Sequence, residues 1–187
     1  DREEPDIRTL LDVTALGTIA DVVPLRGINR VLVSYGLQRM QHSPHAGIRA
    51  LLALIPPGRN LTAGTVAFQM VPRLNAAGRL SDPFKGFELL STDKPERAAA
   101  IAQEIDEENQ ARRSLQDSIE EQAFEQVLAQ PEAGETPAHV LWSDNWHPGV
   151  TGIVASRIVD SFHRPCVMIA IDENGIGKGS IRSIRGF

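Results

Sequence analysis

A short glycine-rich segment near the end of the chain carries side chains that suit a phosphate. Within GKGSIRS, Lys178, Ser180 and Arg182 place two cations and a hydroxyl beside Gly177 and Gly179. A guanidinium offers a planar fork of N–H donors, and glycine lets backbone amides approach an anion. The segment lacks the spacing of a nucleotide-binding P-loop. A phosphate contact and an ordinary surface turn are therefore both compatible with it.

A second segment, RLNAAGR, places Arg73 and Arg79 around small residues. Small residues are expected where the backbone must lie close to another group. Two arginines at this spacing are weak evidence of a binding site when taken alone.

His147 precedes a predicted helix in WHPGVTGIVASR, and the first turn of that helix contains Gly149 and Gly152. The exposed amides and the dipole of a helix N-terminus favour an anion. A single histidine before a proline is more often structural, so both interpretations stay open.

Asp21 lies in the otherwise apolar run ADVVPL. A carboxylate is costly to bury unless it is paired, hydrogen-bonded or bound to a cation. The alternatives are a helix cap or a partly exposed loop acid, and for one such residue taken alone these are the commoner roles.

Charge is segregated along the chain, although the net charge is only −5. Residues 22–85 carry eight Lys and Arg against one acid, whereas residues 86–135 carry four against thirteen, giving +7 and −9. Residues 1–21 and 136–187 contribute −4 and +1. The basic stretch is compatible with a phosphate track and equally with a face that pairs with the acidic segment after it.

The elements that position these groups begin with a helical region. Apolar spacing predicts a first helix from Ile7 to Ala15, capped by Asp6 and broken at Gly17. Three more helices are predicted over residues 29–41, 46–55 and 62–71. We expect Pro72 to stop the last of them, which makes RLNAAGRLSDPFKG a polar, turn-rich link.

The middle of the chain predicts one long helix. From Pro95 to about Gln130 there is no further proline and no glycine, and apolar residues recur at helical spacing. At 1.5 Å per residue, about 35 residues span about 50 Å, so we expect this helix to join two bodies.

The last third changes to a β-α-β pattern. AHVLW and CVMIAI are short, apolar and β-branched like buried strands, GVTGIVASRIVDSFH between them reads as a helix, and GKGSIRSI is a possible third strand. Cys166, the single cysteine, lies in the second strand and is expected to be buried.

Composition excludes several classes of protein. The chain has 187 residues, 42% hydrophobic and 23% charged, as expected of a folded domain rather than a disordered or collagen-like chain. One cysteine excludes an internal disulfide and a cysteine metal cluster. No apolar run approaches the roughly 20 residues of a membrane span, and DREEPDIR lacks the features of a secretion signal. We expect a soluble, cytoplasmic protein.

Taken together and in order, GTIADVVPL, PRLNAAGR, the long acidic helix, WHPGVTGIVASR and GKGSIRS resemble the central part of the RecJ-type single-strand-specific exonucleases of the DHH phosphoesterase superfamily. The similarity runs from Leu10 to the end of the chain. It implies two α/β domains joined by a long helix, and a two-metal site of aspartates and histidines that holds Mn²⁺ or Mg²⁺ and hydrolyses DNA from 5′ to 3′.

The resemblance divides this chain into three parts. It implies that residues 1–93 are the mostly helical C-terminal part of a DHH-type catalytic domain. Residues 94–131 would form the connecting helix, and residues 132–187 would start a β-α-β DHHA1-type nucleic-acid-binding domain.

The same resemblance assigns site residues. Asp21 would be a catalytic metal ligand, and Ser180 with Arg182 would hold the 5′ phosphate. The residues that fall where the family contacts DNA are Arg79, Gln110, Arg157, Asn75 and His147.

The chain also departs from the family pattern. It contains no DxD or DHH motif and no GGH segment, so only Asp21 of the metal cluster is present. We therefore expect a fragment of a longer exonuclease, inactive by itself. Ile181 replaces a glycine of the usual GSGRS sequence, and a β-branched residue fits there only if its φ is negative.

Two other functions remain open. A small DHH-family phosphoesterase acting on oligoribonucleotides or cyclic dinucleotides shares the metal chemistry, and a non-catalytic DNA- or protein-binding module suits a chain with one metal ligand. The expected partner is single-stranded DNA, with no membrane. Single-strand-binding proteins or helicases as partners are not readable from the sequence.

Overall fold

The computed structural model describes residues 6–130 and 136–186. It divides into two compact units, Asp1–Asn109 and Gln110–Phe187. The first is helical, and the second combines helices with a three-stranded sheet. This confirms the mixed α/β class. The domain boundaries near residues 93 and 131 stay a prediction.

The first helix is longer than predicted. A 3₁₀ turn, Ile7–Leu10, is capped by Asp6, whose carboxylate accepts a hydrogen bond from the backbone N–H of Arg8 at 3.0 Å. Helix α1 follows over Leu11–Ala20 and passes through Gly17 without a break. The break predicted at Gly17 is wrong, because Leu16 and Ile19 are buried on either side of it and their packing outweighs the helix cost of one glycine.

The helices that follow in the first unit, before the long helix, are α2 (Gly27–Met40), α3 (Ala46–Ala53), α4 (Ala63–Thr65), α5 (Val71–Leu80) and α6 (Phe84–Ser91). A π-helical segment, Val66–Met70, joins α4 to α5.

Pro72 does not stop the helix, and RLNAAGR is helical rather than a link. Pro72 occupies the first turn of α5, where a missing N–H costs nothing. The wider turn of the π-helical segment precedes it, and such turns accommodate an interrupted hydrogen-bond ladder. The end of the predicted link forms the start of α6, where Asp82 Oδ1 accepts from the N–H of Phe84 at 2.9 Å.

Two glycines set how closely these helices pack. A Cβ on Gly36 of α2 would collide with the carbonyl of Leu11 in α1, and one on Gly47 of α3 would collide with the carbonyl of Leu89 in α6. The backbones therefore approach more closely than any side chain allows. Around them lies an aliphatic core in which Met40, Ile48, Leu51 and Met70 are fully buried.

Helix α7 covers Pro95–Leu128, which confirms the predicted long helix. Its first half carries acids that pair with the basic stretch before it. Arg73 Nε lies 2.6 Å from Asp106 Oδ1, and Lys85 Nζ lies 2.6 Å from Glu108 and 3.2 Å from Glu104. Arg73 and Lys85, from the basic stretch, therefore form ion pairs with acids of α7 within the fold.

The second unit has the predicted β-α-β order. Strand β1 (His139–Ser143) is followed by α8 (Pro148–Phe162), β2 (Cys166–Ile171) and β3 (Gly177–Arg182). β1 pairs parallel with β2, and β3 pairs antiparallel with the other edge of β2. Cys166 is fully buried as predicted, and this burial raises the pKa of its thiol to about 11.

The second half of α7 packs on the β1 side of this unit. The side-chain amide of Gln126 donates to the Trp142 carbonyl at 2.9 Å and accepts from its N–H at 3.2 Å, so it satisfies part of the open edge of β1. Gln122 accepts from the indole N–H of Trp146 at 2.9 Å.

In the described parts of the chain, no helix is both long enough and apolar enough to cross a membrane.

Candidate nucleic-acid interface

Ser180 and Arg182 lie on β3 against the first turn of α8. Thr151 Oγ1 donates to Ser180 Oγ at 3.2 Å. A Cβ added to Gly152 would lie 3.0 Å from Arg182 Nη2 and 3.3 Å from Ser180 Oγ. The first turn of α8 therefore approaches both side chains closely, and only glycine leaves their positions undisturbed. A guanidinium and a hydroxyl beside a helix N-terminus form a suitable cradle for an anion.

Ile181 is compatible with this arrangement. It lies in β3 opposite Val167, and among the described residues only Val22 and His163 have positive φ outside glycine. This confirms the negative φ that a β-branched residue requires. Because side chains alternate along a strand, Ile181 is directed away from the face that carries Ser180 and Arg182.

His147 is the N-cap of α8. Its Nδ1 accepts a hydrogen bond from the N–H of Gly149 at 3.1 Å, so a neutral His147 carries its proton on Nε2. This bond gives His147 a structural role at the helix N-terminus. Its predicted contact with DNA stays a prediction.

Arg157 is held by an acid. It lies further along α8, and its Nη1 forms an ion pair with Glu120 of α7, with about half of the Arg157 side chain exposed. The pair orients the guanidinium and neutralises part of its charge. Any phosphate that Arg157 contacts must compete with Glu120.

Asn75 and Arg79 are exposed on one face of α5, four residues apart. Together with Leu74, Gly78 and Pro83 they line an open depression of about 460 Å³. Between them, Ala76 and Ala77 are fully buried, so the small residues of this segment serve the packing of α5. Gln110 is exposed on α7.

Asp21 is the C-cap of α1, and its N–H donates to the carbonyl of Gly17 at 3.0 Å. The side chain is exposed. Val22, directly after it, has a φ of +54°, a left-handed conformation that is strained for a β-branched residue. Such strain is commoner at functional sites than elsewhere.

A metal centre is not complete in the described residues. Between residues 6 and 130 and between 136 and 186, no three His, Cys, Asp or Glu side chains are grouped to hold a metal ion. Asp21 has the right chemistry for a hard cation but does not form a site by itself. It stays a predicted ligand.

The structure contains a buried polar cluster around Asp12 that the sequence did not predict. The fully buried carboxylate of Asp12 accepts hydrogen bonds from Ser43 Oγ at 2.5 Å, from the Val13 N–H at 2.8 Å and from His45 Nδ1 at 3.0 Å. Burial raises the pKa of Asp12, but these hydrogen bonds outweigh it, so the pKa lies below its usual value. The available signal was a charged residue in the apolar run of α1. The cluster fastens α1 to the turn before α3.

Comparisons with known proteins agree with the resemblance seen in the sequence. No family model matches the chain. The chain is 41% identical to the single-stranded-DNA-specific exonuclease RecJ of Bacillus subtilis, over 99% of this chain and 23% of that protein. It is 40% identical to RecJ of Escherichia coli, over 97% of this chain and 32% of that protein.

Solved structures give the same result. RecJ of Thermus thermophilus in complex with Mg²⁺ superposes with a TM-score of 0.84 and 38% identity, over 98% of this chain and 28% of that one. A manganese-bound exonuclease RecJ gives a TM-score of 0.83 and 37% identity, over 98% of this chain and 44% of that one. The chain thus spans 23% and 32% of the lengths of the Bacillus subtilis and Escherichia coli relatives.

Proposed function

We propose that this chain is the central segment of a metal-dependent exonuclease that degrades single-stranded DNA from 5′ to 3′ in recombination and repair. We further propose that the segment by itself binds a strand without cleaving it. The support is its 40% identity to a single-stranded-DNA-specific exonuclease over 97% of its length, together with the arrangement of its own side chains.

The observation that carries the proposal is the approach of Gly152 to Ser180 and Arg182. A terminal phosphate placed there would accept charge-assisted hydrogen bonds from the guanidinium and a further bond from the hydroxyl. The N-terminal dipole of α8 adds to the attraction. A strand end that carries a phosphate should therefore bind more tightly than one that carries a hydroxyl.

Strand contacts away from the end are proposed for two surfaces. On α5, Asn75 and Arg79 share an exposed face, and on α8, Arg157 presents a half-exposed guanidinium. Gln110 and His147 complete the proposed set. Phosphate contacts of this kind bind without regard to base sequence.

Mg²⁺ or Mn²⁺ is the proposed cofactor, with Asp21 as one ligand. The similar solved structures contain these ions. Because the described residues form no metal-holding group around Asp21, no catalytic step is assigned to this segment. Single-stranded DNA is the proposed partner, and cytoplasm, where bacterial chromosomal DNA lies, is the proposed location.

A non-catalytic binding module is the second candidate for this chain. The incomplete metal centre of the described residues favours it. Both candidates require that the segment itself binds its partner. They differ in whether the longer protein that contains the segment is a nuclease.

The test compares two oligonucleotides of one sequence, with a 5′ phosphate or a 5′ hydroxyl, by fluorescence anisotropy. We expect at least about tenfold tighter binding of the phosphorylated strand, because hydrogen bonds to a charged group contribute about 1.5–3 kcal/mol and each 1.4 kcal/mol is about a factor of ten. Arg182→Lys should remove most of this preference, since an ammonium lacks the planar fork. Arg185→Lys, the same substitution at the next arginine along the chain, is the control. Equal affinity for both strands would show that the segment is not an end-binding site.

A further inference from the structure

A small cavity lies beside the Ser180 and Arg182 cradle and has no assigned role. Its volume is about 250 Å³, and its walls include Trp146 and Pro148 before and at the start of α8, Ile171 at the end of β2, and Ile176 and Lys178 around the start of β3. It thus opens at the carboxyl end of the parallel β1-β2 pair. In α/β folds, ligands bind in this crevice more than elsewhere.

The walls of the cavity are mostly apolar. Trp146 is only 4% exposed, and its indole N–H is already donated to Gln122 at 2.9 Å, so it adds a small apolar patch to the cavity wall and no donor. The Asp172 side chain at the rim is also engaged, because its Oδ1 accepts from the N–H groups of Asn174 and Ile176 at 2.9 Å each. These bonds shape the turn that holds Ile176 over the cavity. An apolar, planar guest suits such walls, whereas a phosphate does not.

The size of the cavity limits the guest. Pockets for drug-sized ligands have volumes of about 300–1,000 Å³, and this one lies just below that range. It has room for one small ring system and not for a dinucleotide.

The register of the sheet places the cavity next to the cradle. Lys178, Ser180 and Arg182 are paired with Ala170, Met168 and Cys166, and these three partners are all buried. Because side chains alternate along a strand, Lys178, Ser180 and Arg182 share the face of β3 that lies against α8. Neighbouring members of this row are about 6.6 Å apart along the strand. Lys178 therefore stands between the cavity and Ser180.

We propose that this cavity receives the base of the strand's terminal nucleotide, whose 5′ phosphate is held by Ser180 and Arg182, and that Lys178 contacts the phosphate from the cavity side. The exposed side chain of Ile176 supplies apolar surface for the face of the base, beside the small exposed part of Trp146. Every base has such a face, so this contact would not select a sequence. The inference rests on the proposed function, since it requires a strand end in the cradle.

The experiment compares two 5′-phosphorylated oligonucleotides, one of them with an abasic terminal nucleotide, on the full chain by anisotropy. We expect the abasic strand to bind about tenfold more weakly, because stacking of one base on protein side chains is commonly of this size. Ile176→Ser should weaken binding of the normal strand and leave binding of the abasic strand unchanged. Ile176 is 66% exposed, so the substitution removes a cavity wall without opening the core.

Ile28→Ser is the matched control. Ile28 is 68% exposed on α2 of the first unit, so the same change is made at the same exposure away from the cavity. It should affect neither strand, and thermal melting of both variants checks that they fold.

The outcomes separate the two proposals. If the normal and abasic strands bind equally while the 5′-phosphate preference remains, the base site is wrong and the end-binding function stands. If Ile176→Ser weakens both strands equally, the residue acts on the fold and the base site is again wrong. If the chain binds neither strand, both proposals fail.

Discussion

Gly152 and Arg182 lie in contact across the junction of α8 and β3, so closely that a Cβ on Gly152 would stand 3.0 Å from the guanidinium Nη2. The contact joins two residues that lie 30 positions apart in the sequence. Because Gly152 has no side chain, the guanidinium of Arg182, which we propose holds a strand end, can lie against α8.

Gly152→Ala should separate stability from binding. Alanine favours a helix over glycine by roughly 1 kcal/mol, so the free energy of unfolding should not fall by much. The new Cβ would nevertheless displace the guanidinium, and the preference for a 5′ phosphate should fall severalfold. Denaturant unfolding and anisotropy measure the two effects.

Gly17→Ala is the control for that experiment. Gly17 is also a helical glycine, but an added Cβ there meets nothing within 4 Å. The substitution should stabilise the fold by roughly 0.5–1 kcal/mol and leave binding unchanged. An unchanged phosphate preference in Gly152→Ala would contradict the cradle.

The isolated chain should not hydrolyse single-stranded DNA even with millimolar manganese. The reason is that its described residues supply Asp21 and no grouped metal ligands. Release of nucleotides from a labelled strand is the measurement, with Asp21→Ala beside the unchanged chain. Turnover that survives Asp21→Ala indicates a contaminating nuclease, whereas turnover that depends on Asp21 would overturn our view that the site is incomplete.

Strand binding should weaken as the salt concentration rises. In a plot of log binding constant against log salt concentration, we expect a slope of about −0.7 for each phosphate contacted. Arg79→Ala and Arg157→Ala should each reduce the slope by about that amount, because each removes one proposed contact. Affinity titrations over a range of salt concentrations measure it.

Arg8→Ala is the reference for nonspecific attraction. Arg8 is exposed, and its Nε lies 2.8 Å from Asp6 Oδ1. It is far along the sequence from Arg79 and Arg157. If it lowers the slope as much as the other two changes, the binding reflects general electrostatics alone.

The Asp12 cluster should make stability depend on pH in the acid range. Because the folded-state pKa of Asp12 lies below its ordinary value of 3.8, the charged form stabilises the fold above that value. This contribution is lost as pH falls through the lower, folded-state pKa. Asp12→Asn should cost about 1.5–3 kcal/mol at neutral pH, and this cost should shrink on acidification.

Chemical denaturation of both proteins across the acid range tests this expectation. Asp117→Asn, at an exposed position of α7, provides the comparison and should change stability little at any pH. A cost of Asp12→Asn that stays constant as pH falls would mean that the carboxylate charge does not stabilise the cluster.

The sequence was sufficient to predict the helices and strands whose formation depends on residues close together in the chain. The uninterrupted run from Pro95 predicted α7, and the alternation of β-branched strands with a glycine-started helix predicted the β-α-β order of the second unit. Both patterns depend on side-chain spacing of a few residues. The ordered motifs also indicated the kind of protein, and the comparisons agree.

Local sequence failed where packing overrides propensity. Gly17 and Pro72 are helix breakers by type, yet α1 continues through the first and α5 begins around the second. Burial of Leu16 and Ile19 stabilises the one, and the first-turn position tolerates the other. Neither burial nor the position of a helix start can be read reliably from the few residues around a breaker.

The tertiary structure alone decided the partners of the polar groups. Ser43 and His45 lie 31 and 33 residues from Asp12, and Glu120 lies 37 residues from Arg157. Hydrogen bonds and ion pairs form over about 3 Å, so they depend on how separate elements pack rather than on sequence spacing. The sequence therefore determined which chemical groups this chain has and which elements carry them, and the fold determined which of those groups meet.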